Sequence, residues 1–184
     1  MMGHPWHDVL VGSEAPKIVT AVIEIPKGSK NKYEVDKNSG LLFLDRVSSS
    51  PVMYPVNYGF VPQTYCDDGD ALDIMVIGQE TVPPLCLMHA KVLGAMRMID
   101  NGEADDKIVA VHAHDPQYKH VNTLSDLSPH LLKEIEQFFK IYKLLDNKKV
   151  EVSGFVQADA AHAIIVESIK FYEKEKEKLK SHKG

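Results

Sequence analysis

Asp68-Gly69-Asp70-Ala71-Leu72-Asp73 runs without a break into Ile74-Met75-Val76-Ile77. Asp beside Gly is turn chemistry, and the short apolar run that follows is the mark of a buried strand. The chain therefore alternates here between an acidic turn and a core strand. Carboxylates this close raise one another's pKa, and a cation among them relieves the repulsion. Hard divalent ions are bound by oxygen donors of this kind.

The same strand-and-turn grammar extends in both directions. Residues 17–26 alternate, with Ile18, Thr20, Val22 and Glu24 on one face and Val19, Ala21, Ile23 and Ile25 on the other, so that Glu24 interrupts an otherwise apolar or neutral face. Further strands are expected over 32–36, 41–47, 72–77, 88–98, 107–113 and 149–157, most bounded by Gly, Pro, Asn or Asp. Many short strands separated by turns predict a closed sheet or small barrel. Two segments have helical spacing. The first follows Pro129 and carries Leu131, Leu132, Ile135, Phe138, Phe139, Tyr142 and Leu145. The second begins near Ala158, turns Ile164, Ile165, Ile169 and Tyr172 inward, and continues into the charged run 173–178, which should fray because it sets like charges at i,i+4.

No repeat or composition break divides the 184 residues, which predicts one domain with an N-terminal extension over 1–16 and a charged tail over 174–184. The net charge of −5 opposes a nucleic-acid footprint, and no run approaches the length of a membrane span. Cys66 and Cys86 form no CxxC or metal-ligand pair, and the N-terminus has no secretory pattern, so a reducing, cytoplasmic compartment is expected.

A second acidic group, Asp100, Glu103, Asp105 and Asp106, stands just before the strand beginning at Lys107. By itself it reads as a solvated loop; brought against the first group it would give an oxygen-lined cavity for more than one Mg²⁺. An EF-hand is a poor fit, since the glycine is misplaced and a strand follows. Lys32, Glu34, Arg46 and Lys107 lie in or beside strands, where each basic side chain reads as plain surface charge or as a phosphate ligand. Pro55 holds Tyr54 and Tyr58 in an irregular, turn-rich segment, with their hydroxyls available to an anion or their rings filling the core. Tyr142 and Lys143 read as a core tyrosine and a snorkelling lysine. The histidines form no metal motif: His112 and His114 are alike in setting, but no further zinc ligands accompany them.

Taken together, Ile23-Glu24-Ile25-Pro26-Lys27-Gly28-Ser29, Lys32-Tyr33-Glu34, Asp45-Arg46, Tyr54-Pro55-Val56-Asn57-Tyr58-Gly59, Asp68 to Asp73, Asp100 to Lys107 and Tyr142-Lys143 resemble the family I soluble inorganic pyrophosphatases, and His4-Pro5-Trp6-His7-Asp8 looks like their plant-type branch. The resemblance implies an α+β fold with a mainly β core, a closed five-stranded OB-like barrel flanked by two main helices, hydrolysing pyrophosphate with Mg²⁺, for which Mn²⁺ or Zn²⁺ could substitute. By motif match, Asp68, Asp70, Asp73, Asp100 and Asp105 would hold metals, with Asp70 also the general base; Glu24, Glu34 and Tyr54 would lie in an outer layer. Lys32, Arg46, Tyr58, Lys107, Tyr142 and Lys143 would hold phosphate oxygens. Ala71 departs from the family pattern, which has proline there, removing a fixed φ but no ligand. A homo-oligomer is expected, of an order the sequence does not set. The rival readings are a non-catalytic OB-like nucleic-acid or metal-binding module, opposed by the acidic charge and by the lysines and arginine beside the acids.

Overall fold

The computed structural model describes residues 3–181. Among the described residues nine strands are formed: β1 (Ile18–Ile25), β2 (Asn31–Val35), β3 (Leu42–Val47), β4 (Asn57–Phe60), β5 (Asp73–Ile77), β6 (Leu87–Asp100), β7 (Glu103–Ala104), β8 (Lys107–His112) and β9 (Val150–Gln157). Helix α1 (Pro129–Ile141) lies between β8 and β9, and α2 (Ala158–Ser181) follows β9. The main sheet runs β1-β4-β5-β8-β6, and β6 pairs back onto β1, so these five strands close into a ring. A closed sheet leaves no unpaired edge among those strands. The expected barrel is therefore present. β7 and β9 extend from β6, while β2 and β3 form a separate two-stranded sheet.

The apolar run after Asp73 is explained by its partner. β5 and β8 are parallel, with Ile74 beside Ile108 and Val76 beside Ala110, and strands of this kind are covered on both faces. Met75, Ile77, Val109 and Val111 pack in the core that includes α1 residues Ile135, Phe138 and Phe139. Ile74, Val76, Ile108 and Ala110 pack in the core reached by Ala161 and Ile165 of α2. β1 is likewise buried on both faces.

Several local expectations change. The segment expected to be irregular contains β4, whose residues are all buried. Gly59 lies so near β1 that a Cβ there would stand 1.9 Å from the Val22 carbonyl oxygen, so a side chain is excluded. Pro55 and Gly59 hide this strand from a propensity reading. Helix α1 ends at Ile141, leaving Tyr142 as its cap and Leu145 63% exposed in a following 3₁₀ turn rather than on the apolar stripe. The charged end of α2 stays helical to Ser181, helped by Lys176–Glu173 and Lys178–Glu175 pairs; the last three tail positions lie outside the described residues. The N-terminal extension is packed: Trp6 joins Val22, Phe60 and Tyr172 in a third core cluster, and its indole N–H donates to the Thr64 carbonyl at 2.8 Å. Both cysteines are free.

Candidate active site

One cavity of about 260 Å³ gathers residues from every part of the ring. Asp68 and Asp70 come from the loop after β4. That loop turns at Gly69, whose φ of +84° suits a residue without a Cβ. The Asp70 N–H donates to Asp68 Oδ1 at 3.0 Å and the Cys66 N–H to the Asp70 carbonyl at 2.8 Å, so the turn is fixed by its own backbone. Asp73 opens β5 and Lys107 opens β8. Asp100 closes β6, and the Asn101-Gly102 turn carries the chain back until the Asp105 N–H meets the Met98 carbonyl at 2.9 Å. The two acidic groups therefore share one cavity, and the solvated-loop reading fails for Asp100 and Asp105. It holds for Glu103, which is exposed, while Asp106 pairs with Arg97.

Lys107 is the cation at the centre of this wall. Its side chain is 3% exposed, and Nζ donates to Asp73 at 2.5 Å and to Asp105. Surface charge is thus the wrong reading for it. Burial alone would lower the ammonium pKa, but the Asp73 and Asp105 carboxylates outweigh burial and hold it above its ordinary value. Lys143, just past α1, pairs with Asp100 and is also largely covered. Lys37, which sequence reading overlooked, donates to Asp70 at 2.5 Å and to the Gly69 carbonyl at 3.1 Å. Tyr33, Trp6 and Phe139 also line the cavity, although none was expected among the site residues. Only the folded chain reveals them, because no local motif links Lys37 to Asp70.

The tyrosines take the packing role and also stand at the cavity wall. Tyr54 packs on Phe138 with centroids 4.7 Å apart and Tyr58 on Phe139 at 6.1 Å, yet both reach the cavity wall, as does Tyr142. Burial pushes all three phenols above their usual range, so they remain protonated donors. Glu24 accepts from the Val35 N–H at 2.6 Å, and burial, the largest cause, lifts its carboxyl to about 8. Burial likewise lifts Asp68 to about 6 and raises Asp105. The opposite wall is more open. Lys32 pairs with Glu34 and lies 3.4 Å from Asp45; Arg46 pairs with Asp45 at 2.5 Å and is not itself among the cavity-lining residues. A second cavity, about 310 Å³, shares Asp68, Ala71, Asp73 and Asp105 with the first.

Seven carboxylates face four lysines across the first cavity, which leaves an excess of three negative charges when all are ionised. Asp100 Oδ1 is buried and has no hydrogen-bond partner. Among the described residues no three acidic, histidine or cysteine side chains converge as a closed ion cage, because lysines stand between the carboxylates. An orphaned buried oxygen in an all-oxygen donor set of excess negative charge fits hard divalent cations.

The family profile described as inorganic pyrophosphatase matches residues 21–173. Soluble inorganic pyrophosphatase 2 of Chlamydomonas reinhardtii is 52% identical over 170 residues, covering 92% of this chain and 88% of its own. The soluble inorganic pyrophosphatase of Zea mays is 52% identical over 169 residues, covering 92% and 79%. Among solved structures, the inorganic pyrophosphatase of Thermus thermophilus superposes with a TM-score of 0.89 at 35% identity, over 93% of this chain and 99% of that one. Barrel, cavity and sequence define a family of metal-using enzymes. This chain belongs to the inorganic pyrophosphatases.

Proposed function

We propose that this chain, acting as a single pyrophosphatase domain, hydrolyses inorganic pyrophosphate to two orthophosphates with Mg²⁺, for which Mn²⁺ or Zn²⁺ can substitute. The observation that carries this reading is the charge balance of the cavity. A polyanion cannot enter a site with an excess of carboxylates unless divalent cations enter too, and the lysines and tyrosines around it are phosphate donors. Asp68, Asp70, Asp73, Asp100 and Asp105 would hold the ions. When bound, they supply charge neutralisation and a water of lowered pKa.

The chain's own groups do the rest. Asp70 is partly exposed on its turn and accepts the proton of the attacking water, with Lys37 orienting it. Lys107 and Lys143, already charged and largely desolvated, stabilise negative charge on the phosphate oxygens without reorganising. Tyr58 and Tyr142 donate hydroxyls from fixed rings. Lys32 and Arg46 approach from the small sheet, releasing Glu34 and Asp45 to do so. Glu24, Glu34 and Tyr54 form the outer layer of the site. This reading places the enzyme in the cytoplasm. No helix among the described residues is long and apolar enough to cross a membrane. It also assigns a homo-oligomer, supported by the exposed apolar side chains Leu41, Phe43, Leu44 and Val47 on and beside the small sheet.

Phosphate release from pyrophosphate, followed with Mg²⁺ and with a chelator, tests the assignment. Release that requires the metal is expected; no metal-dependent release from the folded chain would overturn it.

A further inference from the structure

The sequence offered His112 and His114 with nothing to complete a site; the fold brings His89 to them. Ala90 is paired with His112 between β6 and β8, and the Ala113 N–H donates to the His89 carbonyl at 2.8 Å, which fixes the two strands at this point. His89 Nδ1 then faces His114 Nε2 at 3.3 Å, with the ring centroids 5.5 Å apart. The His112 ring stands edge-on to His114 with centroids separated by 6.0 Å. His89 and His114 are exposed, and His112 is half-buried.

We infer that His89 and His114 form a two-nitrogen surface site for a borderline divalent cation such as Zn²⁺, with water completing its shell, separate from the catalytic cavity. Two nitrogens bound at 2.0–2.1 Å to a tetrahedral ion lie about 3.3–3.4 Å apart, the separation already present between these two rings. With both imidazoles neutral, one ring N–H stands between the two nitrogens; on binding, that ring carries its proton on its other nitrogen, so that both facing lone pairs are free for the ion. Imidazole nitrogen selects zinc, copper or nickel over Mg²⁺. The nearby carboxylate of Asp115 does not join as a ligand, because its oxygens accept from the Gln79 N–H at 2.8 Å, the Gln79 side-chain amide at 2.6 Å and the Gln117 N–H at 2.9 Å. It holds the loop carrying His114 and adds negative charge beside His112. Lys107 and His112 occupy opposite ends of β8, about 17 Å apart by strand rise, and none of the three histidines lines the cavity.

Zinc binding to the full chain in excess Mg²⁺, which fills the carboxylate site, tests this by equilibrium dialysis together with NMR of the histidine rings. The wild type should take up one Zn²⁺ that shifts the His89 and His114 ring resonances. The His89→Asn/His114→Asn double variant should bind that ion at least tenfold more weakly, whereas His130→Asn, on α1, should bind as the wild type does. Equal zinc uptake by the double variant, or zinc binding that leaves the His89 and His114 rings unmoved, overturns the site. Pyrophosphate hydrolysis can fail or hold without affecting either readout, since the two sites share no residue.

Discussion

The two walls of the catalytic cavity are built on different principles. One wall, formed by Asp73, Asp105, Lys107 and Tyr58, grows from strands buried on both faces, and its central lysine is 3% exposed at the side chain. The other, formed by Lys32 and Glu34 with Arg46 just outside the lining, sits on a two-stranded sheet outside the ring, with side chains 25% to 49% exposed. Both carry charge pairs, but the cost of breaking a pair depends on whether water can replace the lost partner. The buried wall can therefore hold charges in a fixed geometry for metal and phosphate. The outer wall can exchange its internal partners for substrate with little effect on the fold.

The largest effect should follow a change in the buried wall. Lys107→Met removes the buried cation shared by the half-buried Asp73 and Asp105 and should cost about 3 kcal/mol in chemical unfolding of the metal-free protein. Added Mg²⁺ should recover part of that loss. A cost near zero in chelator would mean that the two walls do not differ in the way described.

Glu24 sharpens the same contrast through pH. Its folded carboxyl lies near 8, above the ordinary value of 4.5, so the folded state favours the protonated form. The stability this provides is fully present below about pH 4.5 and is lost as pH rises through 8. In metal-free protein, Glu24→Gln should thus gain in melting temperature relative to wild type across that window and level off above it. A difference that does not change with pH would show that Glu24 titrates normally.

The smallest stability effect belongs to the outer wall. Lys32→Ala should shift unfolding by no more than about 1 kcal/mol, because its pairs are solvent-screened. Its cost should appear instead in KM for pyrophosphate, with about a tenfold rise corresponding to roughly 1.4 kcal/mol of lost binding. A large loss of stability with unchanged KM would reverse the roles of the two walls.

Much of the acidic lining of the cavity could be read in the sequence because its signals are local. Asp68, Asp70 and Asp73 surround a glycine turn, and Lys107 opens an apolar run, so turn and strand chemistry place them without knowledge of the fold. What could not be read depends on contacts between distant segments. Lys37 reaches Asp70 across 33 positions, Trp6 reaches Thr64 across 58, and His89 meets His114 across 25. No periodicity records such meetings. β4 was missed for a different reason: Gly59 lowers strand propensity yet is required there by the close approach of β1. Ala71 changed meaning least. It lines both neighbouring cavities, and the turn beside it is held by backbone hydrogen bonds rather than by a proline ring.

In the mechanism proposed above, Asp70, the exposed carboxylate on this turn, takes the proton from the attacking water while its neighbours hold the metal. The direct measurement is kcat for pyrophosphate hydrolysis by Asp70→Asn beside wild type at saturating Mg²⁺, with folding checked by thermal unfolding. A folded variant slowed by about 10²–10⁴-fold is the predicted result. A folded variant turning over at the wild-type rate would contradict it.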